Sequence, residues 1–293
     1  MGAGSGKQIT VFFAAGYGPA EGFARKMAKW TVPDYVGRAV ISMDNTRRFT
    51  DRADYYVKYR PSYPKEAIDF MYGALGFSGR SVIADVGSGT GILTKLLLER
   101  GSTVYAVEPN RQMRELAERA LGDEPNFYSI DGTAERTGLP DQAVDFIVCA
   151  QSFHWFDRDS ARREFRRILR SGGIVVLMWN EPRKETDEFT GQYEKLGREF
   201  GKDYERISHR NWSIDQLRPF FQDGVCHEAE FDNEQNLDFE GFRGRLLSSS
   251  YMPLPGDDKY EALMEKARNL FDAFNRDGVV TIRYRTELFY GTV

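Results

Sequence analysis

The chain has 293 residues, of which 41% are hydrophobic and 29% charged, with a formal net charge of −4 at pH 7. This composition is typical of a soluble globular enzyme and argues against a nucleic-acid partner. No apolar run approaches the ~18 residues that a membrane helix needs. Cys149 and Cys226 show neither metal-ligand spacing nor a disulfide framework, so we predict a cytoplasmic protein without metal or membrane contact.

Residues 1–42 differ in character from the rest of the chain. Phe23, Met27 and Trp30 recur at helical spacing and predict one apolar face of a short helix. That face either packs on the body of the protein or forms a mobile flap over a pocket. Because the sequence changes at Met43, we treat residues 1–42 as an N-terminal extension of unknown role.

The next segment, Thr46 to Pro64, is rich in tyrosine and arginine, and its prolines break any helix there. It lies just upstream of a glycine-rich stretch and could cover the mouth of a site there. Arg60 would then face a carboxylate, and Tyr59 and Tyr63 would line a substrate pocket. The alternative is an aromatic surface packed against a neighbouring helix.

The chain is organised around residues 82–109. An apolar strand from Val82 to Val86 runs into the glycine-rich turn Asp85–Gly91, and a helical pattern follows. A second apolar strand then ends at Glu108. The order of strand, glycine-rich turn, helix, strand and acid is the outline of a nucleotide-binding half-site.

Strands and helices continue to alternate after this unit. The predicted elements are a helix at Arg111–Leu121, strands at Phe127–Ile130 and Val144–Cys149, a helix at Ser160–Leu169 and a strand at Ile174–Trp179. This alternation predicts a doubly wound parallel sheet with ligands at the carboxyl ends of its strands. Four polar residues stand at such ends: Asp85, Glu108, Asp131 and Gln151.

The last third of the chain predicts a helical insertion and two closing strands. The insertion covers Glu181 to Gln222, and the strands cover Val225–Leu237 and Val279–Tyr290, with Asp277-Gly278 as a turn. Helices are predicted near Phe239–Leu247 and Lys259–Phe274. Pairing of the late strands at the sheet's edge would complete a seven-stranded sheet.

The position of Asp85 bears on which nucleotide is bound. A carboxylate two residues before Gly87 would repel a pyrophosphate, by roughly 1 kcal/mol at ~4 Å in water and more in a buried site. It favours a ligand with a cationic amine and sulfonium, which S-adenosylmethionine carries. Glu108 could then hold the ribose hydroxyls and Asp131 the adenine amino group. Met113 either packs on the adenine or belongs to the helix core.

Several segments resemble the motifs of class I S-adenosylmethionine-dependent methyltransferases: Asp85–Gly91, Val107–Asn110 with Met113, Asp131–Ala134 and Gln151–Asp157. More narrowly, the chain resembles the type 11 group, which includes trans-aconitate-methyltransferase-like small-molecule enzymes. The similarity extends over about Met43 to Val293, while residues 1–42 match nothing in that group.

The resemblance implies an α/β, Rossmann-like doubly wound seven-stranded sheet with a final antiparallel hairpin and helical lid segments. We divide the chain into an extension (1–42), a cofactor-binding core with an N-terminal lid segment (43–180), and cap insertions with closing strands (181–293). The residues assigned to the cofactor are Arg60, Asp85, Gly87, Ser88, Gly89, Gly91, Glu108, Pro109, Met113, Asp131, Gly132, Thr133, Ala134 and Gln151.

The expected acceptor is a small molecule in a pocket lined by Tyr59, Tyr63, Trp155 and Tyr251, because the charge is acidic and the lid segments are aromatic. His154 is the candidate general base, with a pocket wall as its alternative role. Two other functions stay open at this point: an NAD(P)-dependent oxidoreductase, and a non-catalytic S-adenosylmethionine-binding interaction protein.

Overall fold

A computed structural model of the chain describes residues 53–202, 204 and 213–293. The N-terminal extension, with its predicted apolar helix face, and His209 lie outside this part of the chain. The strands are β1 Val82–Val86, β2 Thr103–Val107, β3 Phe127–Ile130, β4 Val144–Ala150, β5 Leu169–Pro182, β6 His227–Leu237 and β7 Val280–Gly291. The helices are α1 Ala53–Tyr59, α2 Lys65–Ala74, α3 Ile92–Leu98, α4 Arg111–Leu121, α5 Arg158–Ile168, α6 Glu188–Phe200, α7 Ile214–Leu217, α8 Phe239–Leu247 and α9 Tyr260–Phe274.

Short polar side chains fix where several helices begin. Asn110 accepts a hydrogen bond from the Met113 amide at the start of α4. Asp157, Asp187 and Asp238 cap α5, α6 and α8 in the same way. Such caps satisfy amides that have no partner within the helix, so the sequence determines where these helices start.

The strands form one sheet in the order β3-β2-β1-β4-β5-β7-β6. The first five pair in parallel, and β7 runs antiparallel to both β5 and β6. Parallel pairing brings the carboxyl ends of β1, β2 and β4 to one edge. The seven-stranded doubly wound sheet with a late antiparallel pair confirms the predicted fold.

Each face of the sheet is covered by its own apolar layer. On one face, Phe153, Phe165 and Trp179 pack with the region of α5 and residues 217–221. On the other face, Met71 and Leu97 pack from α2 and α3. Coverage on both faces explains why the central strands are continuous apolar runs.

A third apolar cluster forms a cap at the far end of β6 and β7. Phe189 and Tyr193 of α6, Phe242 of α8 and Phe271 of α9 pack there with residues from the ends of these strands. The connection between β6 and β7 carries α8 and α9. The cap is therefore built on the antiparallel pair that closes the sheet.

Two of the differences from the sequence prediction have a clear physical reason. β5 extends beyond Trp179 to Pro182, because β7 pairs with it as far as Tyr284 and satisfies its backbone groups past the end of β4. The α1 helix forms within the segment where proline was expected to prevent one. It ends at Tyr59, before Pro61, so the proline restricts the helix's end rather than its existence.

Among the described residues, no helix is both long enough and apolar enough to cross a membrane.

We expect Phe242→Ala to lower the free energy of unfolding by about 3–5 kcal/mol, since deleting a buried aromatic ring leaves a cavity. Phe242 is fully buried, and its ring centroid lies 5.4 Å from that of Phe189. Urea unfolding is the measurement, and Val225→Ala, at a residue 52% exposed, is the control. A loss no larger than that of the control would contradict a packed cap.

Candidate functional site

The glycine-rich turn after β1 takes a shape that side chains would prevent. Gly87 and Gly91 have φ of +72° and +85°. A Cβ on Gly87 would lie 2.4 Å from the Ser152 Cβ, and one on Gly91 would lie 2.8 Å from Leu121 Cδ1. The loop after β4 therefore packs directly on the turn, and glycine is required at both positions.

The end of β4 is held against β1 by further contacts. Ser152 donates its hydroxyl to the Val86 carbonyl at 2.7 Å. Gln151 has φ of +58°, an unusual conformation for a residue with a side chain, and its amide donates to the Met178 carbonyl at 2.9 Å. Strained residues of this kind concentrate at functional sites.

Asp85 is buried at the carboxyl end of β1, with 1% of its surface exposed. Thr94 donates its hydroxyl to the carboxylate at 2.6 Å. Burial raises the pKa of Asp85 to about 7, and the nearby charge of Glu108 adds to the effect. Within the described part of the chain no cation pairs with this carboxylate. A buried acid without a counter-charge favours a cationic ligand.

Glu108 is buried at the end of β2 and held by two amides. Its Oε2 accepts from the Gly89 amide at 2.9 Å, and its Oε1 accepts from the Asn110 amide at 2.8 Å. Burial raises the pKa of Glu108. Each carboxylate oxygen can accept a second donor, so the side chain is oriented and still able to bind hydroxyls.

Asp131 and Met113 occupy different environments near this edge. The Asp131 side chain is 74% exposed and pairs with Arg114 at 3.1 Å. Arg114 also donates to the Glu108 carbonyl at 2.7 Å. Met113 is 4% exposed on the inner face of α4. Arg114 links the ends of β2 and β3, a connection that the sequence pattern did not reveal.

The remaining residues of the predicted motifs form tight backbone loops. The Ser88 amide donates to the Val107 carbonyl, and the Pro109 carbonyl lies 3.4 Å from Arg114 Nη1. A Cβ on Gly132 would lie 2.6 Å from the Thr137 carbonyl oxygen. The neighbouring Thr133 bridges to Arg136, and Ala134 is buried in the core. These loops shape the carboxyl edge of the sheet.

His154 and Trp155 lie on a short 3-10 turn, Phe153–Trp155, that follows β4. Phe153 is fully buried, and its ring centroid lies 4.7 Å from that of Phe220. The rings of His154 and Trp155 are 4.6 Å apart, and both residues are half-buried. The buried phenylalanine thus fixes the turn that presents them.

The segment after α1 attaches to the cap. Arg60 donates from Nη2 to the Ser248 carbonyl at 3.0 Å, and the Tyr59 carbonyl accepts from Gln235 Nε2 at 2.9 Å. The Tyr59 ring lies against Gly244, where a Cβ would come within 2.2 Å of it. Tyr63 instead packs with the apolar layer of α2.

The interior of the cap contains a buried polar cluster. Arg245 is 5% exposed and donates to the Tyr284 hydroxyl at 3.2 Å and to Ser249 Oγ at 3.1 Å. Tyr251 lies edge-on to Tyr204, with ring centroids 5.1 Å apart. The structure therefore brings Tyr59, Arg60 and Tyr251 to the cap, whereas Trp155 belongs to the loop after β4.

The sheet order, the glycine-rich turn after β1 and the acids at the ends of β1 and β2 define a class I methyltransferase fold. Residues 84–177 match the family model described as a methyltransferase domain, of the type 11 group. Residues 84–177 therefore carry a methyltransferase domain of this group. The match confirms the family and cofactor predicted from the sequence.

Relatives and solved structures agree with this assignment. An uncharacterized methyltransferase of Mycobacterium tuberculosis is 39% identical over 167 residues, which cover 57% of this chain and 64% of the relative. The chain thus spans just under two thirds of that relative's length. An uncharacterized methyltransferase-like protein of Schizosaccharomyces pombe is 28% identical over 82% of this chain and 93% of its own.

A solved structure from Anaeromyxobacter dehalogenans, described as a proposed type II methyltransferase, has the same fold. It superposes with a TM-score of 0.56 at 20% identity and covers 80% of this chain and 98% of its own.

The pKa of Asp85 predicts how the stability of the ligand-free protein depends on pH. The carboxyl titrates near 3.8 when unperturbed and at about 7 in the fold. Between these values the unfolded chain is ionised while the folded protein keeps the proton, so stability falls as pH rises through this window. Asp85→Asn removes the free-energy cost of ionising this buried carboxyl.

We therefore expect Asp85→Asn to be more stable than the wild type at pH 8, by on the order of 1–3 kcal/mol, and equal to it near pH 4. Urea unfolding at several pH values measures the difference. Asp123→Asn, at an exposed carboxylate, is the matched control. A variant less stable than the wild type at pH 8 would show that the buried charge carries no cost.

Proposed function

We propose that the protein transfers a methyl group from S-adenosylmethionine to a small-molecule acceptor, by in-line displacement in a pocket beneath the cap. The observation that carries the proposal is the buried Asp85 carboxylate beside the glycine-rich turn, without a counter-charge among the described residues. Such a group suits the cationic amino-acid end of this cofactor and would repel a pyrophosphate.

The residues at the carboxyl edge fit the rest of the cofactor. Asp85 would hold the amine, and the turn at Gly87, Gly89 and Gly91 would admit the amino-acid tail without Cβ clashes. Glu108, already oriented by two amides, would accept the ribose hydroxyls. Asp131 keeps an oxygen outside its Arg114 pair for the adenine amino group. Met113 would contribute apolar contact.

This placement of the cofactor gives two parts of the chain different roles. Residues 43–180 would bind the cofactor, and residues 181–293 would provide the cap and the closing strands. The proposal is supported by Arg60, which reaches the Ser248 carbonyl from the segment upstream of the site. This contact joins the upstream segment to the cap, as a lid over an enclosed pocket requires.

The bound cofactor supplies a methyl group activated by its sulfonium. The protein's main task is then to exclude water and align the acceptor with the carbon–sulfur bond, an effect worth roughly 7–11 kcal/mol at near-attack geometry. A base is needed where the acceptor loses a proton. His154, on the turn after β4, is our candidate for that role.

We expect Asp85→Asn to weaken binding of S-adenosylhomocysteine by at least about tenfold, because a charge-assisted hydrogen bond is lost. Calorimetric titration is the measurement, with Asp123→Asn unchanged. A thermal-shift comparison of S-adenosylhomocysteine with NADH distinguishes the methyltransferase from the oxidoreductase alternative. Unaltered affinity in Asp85→Asn would remove the basis of the site assignment.

Turnover is tested by mass spectrometry across small carboxylic acids, phenols, amines and thiols. We expect transfer by the wild type and its loss in Asp85→Asn. Binding of the cofactor without transfer to any acceptor would favour the non-catalytic alternative.

The His154→Gln variant distinguishes the two possible roles of His154, a general base or a residue that only lines the pocket. If His154 takes the acceptor's proton, kcat falls by about 10²-fold or more at saturating acceptor, with cofactor affinity unchanged. If kcat stays near the wild-type value, the base assignment is wrong. Trp155→Phe serves as the control for packing on the same turn.

A further inference from the structure

Glu181 lies near the carboxyl end of β5, the strand that flanks β4. The Gln151 amide bonds to the Met178 carbonyl, so Glu181 stands three residues beyond the point where the site loop joins β5. Ligands of doubly wound sheets bind outside the carboxyl ends of their strands. Glu181 is therefore placed where an acceptor would lie beyond the cofactor.

The natural partner of Glu181 is engaged elsewhere. In the antiparallel register Glu181 is opposite Arg285 of β7. The Arg285 guanidinium instead contacts Glu287 at 2.7 Å and Glu230 at 3.5 Å. Among the described residues, Glu181 makes no side-chain hydrogen bond or ion pair with any group.

Glu181 lines a cavity of about 280 Å³. The other lining residues are Pro182, Arg183, Glu185, Thr186 and Arg285. Arg183 pairs with Asp232, and Glu185 lies 3.9 Å from Lys184. Each of the other charged residues in the lining is thus paired with an opposite charge. Among the described residues, Glu181 is the charged lining residue that forms no ion pair.

The electrostatics of the surroundings agree with this geometry. Burial raises the pKa of Glu181 to about 8, and the charges of Glu287 and Glu194 add to it, while Lys184 and Arg285 oppose it. A cation placed in the cavity would relieve the cost of ionising this carboxyl. An anion would meet the carboxylates of Glu181 and Glu185, with both guanidiniums of the lining already paired.

We propose that the cavity beside Glu181 binds a protonated amine of the methyl acceptor. The inference rests on the proposed function, because it takes the acceptor as the ligand. The amine serves as a recognition group, with the carboxylate of Glu181 as its charge-assisted partner. The cavity's volume suits a small aliphatic amine rather than a polymer.

The test uses three probes of similar shape: n-butylammonium, 1-butanol and butyrate. Each is titrated calorimetrically at pH 8.5 into the full chain saturated with S-adenosylhomocysteine. We expect saturable binding of n-butylammonium at least about tenfold tighter than that of 1-butanol or butyrate, as one charge-assisted hydrogen bond provides.

The variants identify the residue responsible. Glu181→Gln should weaken n-butylammonium binding about tenfold, whereas Glu185→Gln, at a more exposed carboxylate of the same cavity, should stay within about twofold. Circular dichroism and S-adenosylhomocysteine affinity verify that both variants fold. Below pH 8, wild-type binding should also release protons, since the cation favours the ionised form of Glu181.

The proposal is overturned if butyrate binds more tightly than n-butylammonium, if no amine binding saturates, or if both variants lose binding equally. Its failure is distinguishable from that of the proposed function. Intact S-adenosylhomocysteine binding with no amine binding rejects the amine site alone, whereas absent S-adenosylhomocysteine binding rejects the cofactor assignment itself.

Discussion

The pairing of β5 with β7 is the interaction on which the two halves of the molecule depend. The register runs from Val175 opposite Gly291 to Pro182 opposite Tyr284. Its first part closes the parallel sheet, and its last part extends past the end of β4 into the cap. Asn180 in the extended part accepts from Thr286 and donates to the Ser62 carbonyl, which ties the upstream segment to the same strands.

The extension of β5 beyond Trp179 explains why polar and ionisable groups lie at the carboxyl end of this strand. Beyond Trp179 the strand leaves the apolar layers, so its side chains meet polar neighbours and a cavity. Asp85 on β1 and Glu181 on β5 are both acids whose pKa is raised mainly by burial. Carrying such groups lowers the stability of the free protein, a cost that the proposed cationic ligands would offset.

Much of the sheet could be predicted because its signals are local. Apolar runs, helical periodicity and the glycine-rich turn place β1 to β4 within a few residues of their observed bounds. Asp85 and Glu108 could be singled out because each ends a buried strand. The local sequence pattern also favoured S-adenosylmethionine over a dinucleotide, since an acid beside the glycine-rich turn would repel a pyrophosphate.

Other features depend on contacts between distant residues, which a single sequence does not display. Nothing in Asn180, Glu181 or Pro182 suggests a strand, because their pairing is supplied by β7, a hundred residues later. Arg245 looks like one more charge on a helix, although it is buried among hydroxyls of the cap. The cavity beside Glu181 likewise depends on Arg285, which pairs with Glu287 and Glu230 and not with Glu181. A single sequence does not show which of these acids Arg285 contacts.

The position of β7 between β5 and β6 also orders the folding of the chain. β6 is made before β7, and among the described strands it pairs with β7 alone, so it cannot join the sheet until α8, α9 and then β7 have followed. The contacts that complete the sheet therefore have large sequence separations and form late. During synthesis the edge of β5 therefore stays unpaired until β7 arrives, and an unpaired strand edge is open to mispairing.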